Sequence, residues 1–239
     1  MAKLEFDRVT VRYPIYNARS MSVRNHLVRL GTGGRIGAEA GNVVTVTALD
    51  DVSFSLSDGD CVGLVGHNGA GKSTLLRTMA GIYVPLHGKI VREGSIGTVF
   101  ELGAGMDPEL SGYDNVTRVM MLLGRTKRDA REIYEEIAQF TELGDYLDLP
   151  VRTYSAGMMT RLMFAVSTMY APSILLIDEV FGTGDAKFQE KAKRRIETMI
   201  DAAKVLVFAS HNTELIKRFC NRIFKLDHGS VAEVPLTEL

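Results

Sequence analysis

The sequence predicts an α/β fold built on a parallel sheet with right-handed crossovers. Three observations predict it. A short apolar run, CVGLV (61–65), passes through a glycine-rich turn at 66–71 into an apolar helix at 72–81. Two further runs, ILLID (174–178) and VLVFAS (205–210), read as buried parallel strands separated by a charged helix near 187–203. The chain has 239 residues, 46% hydrophobic and 24% charged, which is one domain's length with apolar mass for a large core.

Taken in order, residues 3–13 (KLEFDRVTVRY) alternate apolar and polar side chains, as a half-buried strand does. After Pro14 the texture changes. Between Arg8 and Ala38 there is no Asp or Glu, yet there are Arg8, Arg12, Arg19, Arg24, Arg29 and Arg35. A short helix fits 21–30, capped by Ser20 and stopped by Gly31, with Val23, Leu27 and Leu30 on one face. Five glycines make 31–42 a loop, and residues 15–44 as a whole read as a basic insertion. Strand texture returns at 42–57, and Asp58-Gly59 marks a turn. Gly88, Gly94 and Gly97 suggest a weakly structured stretch before TVFEL. From 105 to 171 the chain reads as mostly helical, for example KRDAREIYEEIAQF with Ile133, Ile137 and Phe140 on one side.

Composition removes several function classes. Lys plus Arg number 28 against 29 Asp plus Glu, so no net field draws the chain to nucleic acid. Cys61 and Cys220 lie far apart without metal-ligand spacing, which argues against a zinc finger or disulfide framework. The longest apolar stretch, Met158 to Ala171, is too short to span a bilayer and carries Arg161. The opening residues alternate charge and hydrophobicity, unlike a signal peptide.

The chemistry is concentrated in Gly66-His67-Asn68-Gly69-Ala70-Gly71-Lys72-Ser73, followed by Thr74. It matches GxxxxGK[ST] and lies between a strand and a helix, as the mechanism requires. Glycines let successive N–H groups point inward as an anion nest, and the helix adds its positive end. Lys72 is placed to reach the β- and γ-phosphates, and the Ser73 hydroxyl to ligate Mg²⁺. A phosphate loop needs a second, acidic strand end. ILLIDE supplies Asp178 for the metal and Glu179 as general base for an attacking water. Together these motifs predict nucleotide hydrolysis.

The residues resemble the ATP-binding subunits of ABC transporters. Tyr154-Ser155-Ala156-Gly157-Met158 resembles the LSGGQ signature and begins, at Ser155, 23 residues before Asp178. His211 in ASHN matches the switch histidine, Gly184-Asp185 the end of the D-loop, and Tyr13 the aromatic that stacks on adenine. The resemblance covers nearly the whole chain. It implies a P-loop NTPase core with a parallel sheet, an N-terminal antiparallel β-subdomain and a helical subdomain. The core would be 1–104 and 172–239, the helical part 105–171. It also implies ATP and Mg²⁺ as ligands, with the signature of one subunit facing the ATP of a second in a homodimer. Ser155, as an N-cap, leaves the following N–H groups free for such an anion. Two departures stand out. Glu101 occupies the place where most such subunits carry Gln, with a contact to metal and water, and Ala156 and Met158 replace Gly and Gln. Slow turnover is the expected result.

The finer resemblance, carried by residues 13–19, 100–112 and 149–158, is to exporters of bacterial cell-surface polysaccharide, the O-antigen, capsule and teichoic acid class. It implies two copies of a polytopic membrane subunit, a lipid-linked polysaccharide cargo handled by the complex, and a place on the cytoplasmic face of the inner membrane. The arginines of 15–44 would meet anionic headgroups, a partner's cytoplasmic acids or a lipid-linked glycan diphosphate there. Met158, Met159, Met163 and Met169 read as core packing. The residues leave open an exporter of lipid or drug, or a soluble ATPase of the same family. Coiled-coil members are excluded, since only 82 residues separate Lys72 from Ser155. A GTPase is disfavoured by the absence of NKxD.

Overall fold

A computed structural model describes residues 1–15, 36–39, 43–100, 102–178 and 185–238. The helix expected at 21–30, Arg19, Arg24, Arg29 and Arg35 lie outside them, as do Glu101, Glu179 and Gly184. The first half of the chain runs β1 (Lys3–Ile15), β2 (Ile36–Glu39), β3 (Val43–Ser57), β4 (Cys61–Val65), α1 (Lys72–Met79), β5 (His87–Glu93) and β6 (Ile96–Thr98). Next come α2 (Gly112–Leu122), α3 (Lys127–Glu132), α4 (Tyr134–Thr141) and α5 (Ala156–Ser167). The remainder is β7 (Ile174–Asp178), α6 (Ala186–Ala202), β8 (Val205–Ala209), α7 (Thr213–Phe219), β9 (Arg222–Asp227) and β10 (Ser230–Val234). Among these described helices none is long and apolar enough to cross a membrane. The chain forms two compact units: Met1–Ile96 with Leu176–Glu179 and Lys204–Leu239, and Gly97–Leu175 with Val180–Ala203.

The first unit holds two sheets. One is antiparallel, in the order β2-β3-β1-β5. The alternation in KLEFDRVTV puts Leu4, Phe6, Val9 and Val11 on a buried face, met by Leu49, Val52 and Leu56 of β3. The register shifts between Phe6 and Val9, where Arg8 takes a left-handed φ of 50°. In the other sheet β4 pairs in parallel with both β8 and β9, and β10 closes the edge as a hairpin partner of β9. Its strands run β10-β9-β4-β8-β7. Val62 and Leu64 are fully buried, as the unbroken apolar run requires. Between them Gly63 lets α7 approach, since a Cβ there would lie 2.5 Å from Ile216 Cγ2. Phe54 of β3 stacks on Phe6 at 4.5 Å and tilts against Phe224 of β9 at 5.2 Å, which joins the two sheets.

The second unit is helical. Ser111 caps α2, and Thr126 with Asp129 forms a capping box on α3. Buried Asn115 ties down the preceding loop: its amide accepts from Asp107 N at 2.7 Å and donates to the carbonyls of Asp107, Leu110 and Ser111. Phe140, Phe164 and Phe188 form a three-ring cluster at 5.7–5.9 Å where α4, α5 and α6 meet.

Four expectations need correction. Within the loop read at 31–42, residues 36–39 form β2, paired antiparallel with β3 from Ile36↔Val46 to Glu39↔Val43. The stretch around Gly88 and Gly94 is ordered β structure, β5 followed by β6. Gly88 is required by a close approach rather than by a loop, because its Cβ would lie 2.3 Å from the carbonyl of Arg8 at the β1 irregularity. The helix read through KRDAREIYEEIAQF breaks at Ile133 into α3 and α4. Of the four methionines read as core, only Met169 is buried; Met158, Met159 and Met163 are half-buried.

Candidate nucleotide-binding site

The loop 66–71 links β4 to α1 and is shaped by contacts that only glycine tolerates. Gly66 has φ 153°, and a Cβ on it would lie 2.4 Å from the Leu226 carbonyl of β9. Gly71 has φ 115°, with its Cβ position 2.8 Å from the Ala48 carbonyl of β3. Gly69, at φ 81°, has nothing within 4 Å of that position among the described residues. The first two glycines thus seat the loop on the sheets, and the third keeps one side open. Ala70 is fully buried beneath the loop and accepts from Gly229 N at 3.0 Å. The loop is closed on itself by Ala70 N donating to His67 O at 3.1 Å.

Gly71 caps α1 without a side-chain hydrogen bond, so no side chain competes for the helix's leading N–H groups. Lys72 Nζ donates back to the carbonyls of Gly66 at 2.6 Å and His67 at 3.3 Å, which holds the ammonium across the loop mouth. Ser73 Oγ donates to Asp178 Oδ2 at 2.8 Å, joining residues 105 positions apart at the ends of α1 and β7. A cavity of about 360 Å³ opens here. Its walls are Asn68, Gly69, Gly71, Lys72, Ser73 and Thr74 from the loop and α1, Val46 and Ala48 from β3, Asp178 after β7 and His211 after β8.

These residues fit a nucleotide and a hard cation. The unhindered side of Gly69, the leading N–H groups of α1 and Lys72 suit a polyphosphate. The paired hydroxyl and carboxylate of Ser73 and Asp178 are the oxygen donors Mg²⁺ prefers. Val46 and Ala48 were not anticipated as site residues. Their signal was the alternation of β3, which cannot by itself say which face meets the loop.

The other expected residues fall as follows. Tyr13 sits opposite Val46 in the β1–β3 ladder, edge-on to Tyr83 at 5.1 Å. Burial pushes its phenol up to about 12, and the hydroxyl faces Thr74 and Tyr83 with no partner at hydrogen-bonding geometry among the described residues. In the helical unit, Ser155 is the N-cap of α5 and accepts from Met158 N at 3.3 Å. Gly157 follows on an exposed turn with no neighbour within 4 Å of its Cβ position. Tyr154, whose hydroxyl donates to Tyr146 O at 2.6 Å, fixes the entry to that helix. Asp185 caps α6 by accepting from Phe188 N at 3.0 Å, and it is ion-paired with Arg161 of α5. That backbone N–H, then Arg161, hold the Asp185 carboxyl below its usual range. Arg161 also donates to Thr141 O at 3.1 Å, which ties the helix after the signature to the end of α4.

The family model described as ABC transporter matches residues 49–182. The chain is 64% identical to the O-antigen export system ATP-binding protein RfbE of Yersinia enterocolitica, over 98% of both chains. It is 34% identical to an O-antigen export system ATP-binding protein RfbB of Klebsiella pneumoniae, over 98% of this chain and 94% of the other. The teichoic acids export ATP-binding protein TagH of Listeria innocua is 32% identical over 97% of this chain and 66% of its own. Among solved structures, the ATP-binding cassette MJ0796 in a dimeric post-hydrolysis state with ADP and Pi superposes with a TM-score of 0.66. At 21% identity over 98% of both chains, it shares the fold. By a family match over more than half its length and by relatives that align along nearly all of it, this chain belongs to the ABC transporter family.

Proposed function

We propose that this chain is the ATP-binding, ATP-hydrolysing subunit of an exporter of lipid-linked cell-surface polysaccharide of the O-antigen type. It acts as an ATP-bound homodimer on two copies of a polytopic membrane subunit, at the cytoplasmic face of the bacterial inner membrane. One observation carries the ATPase part: Lys72, Ser73, Asp178 and His211 converge on one cavity at the strand ends, with Ser73 Oγ 2.8 Å from Asp178 Oδ2. The cargo is supported by the 64% identity to an O-antigen export protein along nearly the full length of both chains.

In this reading the loop N–H groups and Lys72 bind the β- and γ-phosphates, while Ser73 and Asp178 hold Mg²⁺. When bound, Mg²⁺ neutralises charge on the β- and γ-oxygens. Glu179 takes a proton from water as its oxygen bonds to the γ-phosphorus; the bond to the β-bridging oxygen breaks, and ADP and phosphate leave. His211, on the same cavity, contacts the γ-phosphate and so distinguishes ATP from ADP. Ser155 and Gly157, at the start of α5, present that helix's N-terminus to the ATP of the second subunit, and Asp185 approaches the dimer junction beside them. Neither site is then complete without the second copy.

The test is purification of the chain from detergent-solubilised membranes of its source. A stoichiometric polytopic membrane protein is expected; a wholly soluble assembly would overturn the exporter reading while leaving the ATPase chemistry intact. Glu179→Gln is expected to trap an ATP-bound dimer with little turnover, and near-normal turnover would remove Glu179 as the base. Lys72→Ala is expected to lose nucleotide affinity itself.

A further inference from the structure

His67 belongs to the phosphate loop, yet its ring lies outside the cavity and points toward the β9–β10 turn. There it meets two residues 160 and 161 positions further along the chain. His67 Nε2 is 3.3 Å from Asp227 Oδ1, and His228 Nδ1 is 2.5 Å from the same oxygen. The two imidazoles are 5.1 Å apart, centre to centre. The ligand atoms of all three side chains lie within 4.8 Å of one another, and all three residues are exposed to solvent. Among the described residues this is the one such convergence of three His, Cys, Asp or Glu side chains.

The hydrogen bonding fixes which atoms are available. His67 Nδ1 is 2.9 Å from the carbonyl of Asn68, and a carbonyl only accepts, so Nδ1 carries the proton. In the neutral ring Nε2 is then a lone pair aimed at a carboxylate oxygen. Two acceptors in that arrangement repel unless a cation lies between them: either a second proton on His67 or a metal ion. A backbone carbonyl on the far nitrogen is also the usual second contact of a ligating histidine, because it fixes both tautomer and ring direction.

The scaffold is built to hold this geometry. His228 stands at φ 47°, the left-handed conformation that the two-residue turn between β9 and β10 requires of its first central residue. It is held there by flanking bonds: Ser230 Oγ donates to Asp227 O at 2.6 Å, and Gly229 bonds to both Ala70 O and Asp50 N at 3.0 Å. On the other side, the carbonyl of His67 accepts from Ala70 N and Lys72 Nζ. The backbones bearing all three ligands are thus tied to the same structure.

We propose that His67, Asp227 and His228 form a binding site for a divalent late transition ion, Zn²⁺ being the best match, which staples the phosphate loop to the β9–β10 turn. Ligands about 2.1 Å from a tetrahedral zinc stand roughly 3.4 Å apart. The His67–Asp227 separation of 3.3 Å already has that value, and rotation of the exposed His228 ring opens the shorter one. Two nitrogens and one oxygen suit zinc, whereas Mg²⁺ prefers an all-oxygen octahedron, so this site and the Ser73–Asp178 pair select different ions. The fourth position is left to water.

The test uses the full chain, nucleotide-free and stripped with a chelator, titrated with Zn²⁺ against a chromophoric competitor. One Zn²⁺ per chain is expected, with a rise in melting temperature on binding. His228→Gly removes a ligand while suiting the left-handed turn position, so it folds, and Asp227→Asn removes the shared carboxylate. Each should weaken zinc binding at least tenfold and abolish the rise in melting temperature. Absence of stoichiometric binding in the wild type would overturn the site and leave an ordinary imidazolium–carboxylate cluster. Undiminished binding in His228→Gly would overturn it too, by placing the ion elsewhere, for example at Cys61 or Cys220.

Discussion

Two alanine substitutions in one loop should fail in different ways. A Cβ on Gly66 would stand 2.4 Å from the Leu226 carbonyl, with φ at 153°, so the loop must lift away from β9. The backbone conformation alone costs about 1–3 kcal/mol in a non-glycine residue, and the overlap with a backbone oxygen adds to it. We expect Gly66→Ala to lose about 3 kcal/mol or more, which for a chain of this length lowers the melting temperature by about 6–12 °C. Gly69, at φ 81°, meets nothing within 4 Å among the described residues. Gly69→Ala therefore incurs only the left-handed penalty of about 1–2 kcal/mol, offset in part by a less flexible unfolded chain. Its methyl would instead stand in the cavity mouth, so nucleotide affinity should fall at least tenfold while the melting temperature drops by only about 2–4 °C. Thermal melts without nucleotide, paired with titration of a fluorescent ATP analogue, separate the two. If Gly69→Ala melted as early as Gly66→Ala, or Gly66→Ala melted like the wild type, the assignment of one glycine to seating and the other to opening the loop would be wrong.

Further outcomes follow from other residues. The buried hydroxyl of Tyr13 has no hydrogen-bond partner among the described residues, which is a net cost, so Tyr13→Phe should gain about 1 kcal/mol and keep nucleotide affinity. Tyr13→Ala should weaken nucleotide binding if the ring stacks on the base, and unchanged affinity would remove that role. The Glu142 carboxyl is held below its usual 4.5 by Lys187 and then Lys191, so its contribution is present above that pH and lost as pH falls through the lowered value. The difference in stability between wild type and Glu142→Gln should therefore shrink on acidification below 4.5, as measured by urea melts at stepped pH. Burial, and then the neighbouring Cys61, push the Cys220 thiol up to about 12, so its thiolate fraction at pH 8 is on the order of one in ten thousand. Iodoacetamide should leave Cys220 unmodified in the native chain and label it only after unfolding, as read by mass spectrometry.

The phosphate loop was legible because its requirements are local. Glycines at the left-handed positions, a lysine and a hydroxyl all lie within eight residues, between a strand and a helix. Asp178 was legible for a related reason: a buried strand ending in an acid delivers that acid to the sheet edge where the loop also sits, although 105 residues intervene. At the two strand regions that read as loop or weak structure, glycine is the common cause. Gly88 and Gly94 read in the sequence as signs of weak structure, yet Gly88 admits a backbone carbonyl from β1 that no other residue could accommodate. A glycine marks a loop when nothing is near it and a packed contact when something is, and only the folded neighbourhood tells these apart. Gly37, inside β2, lent the same false loop signal to a strand of four residues, too short to establish an alternation.

The His67 cluster illustrates the harder limit. A histidine inside a phosphate-loop motif invites a single explanation, that it serves the phosphate. Its ring instead turns away from the cavity to meet a hairpin 160 residues later, whose own histidine is held by the turn in a left-handed conformation beside the carboxylate. No periodicity in the sequence links those positions; the link is made by β9 lying next to β4, so that the turn after one strand comes to stand beside the loop after the other. The same adjacency seats Gly66 on Leu226 and Ala70 on Gly229. The β9–β10 turn is therefore part of what shapes the phosphate loop, and a change there should reach the nucleotide without touching it.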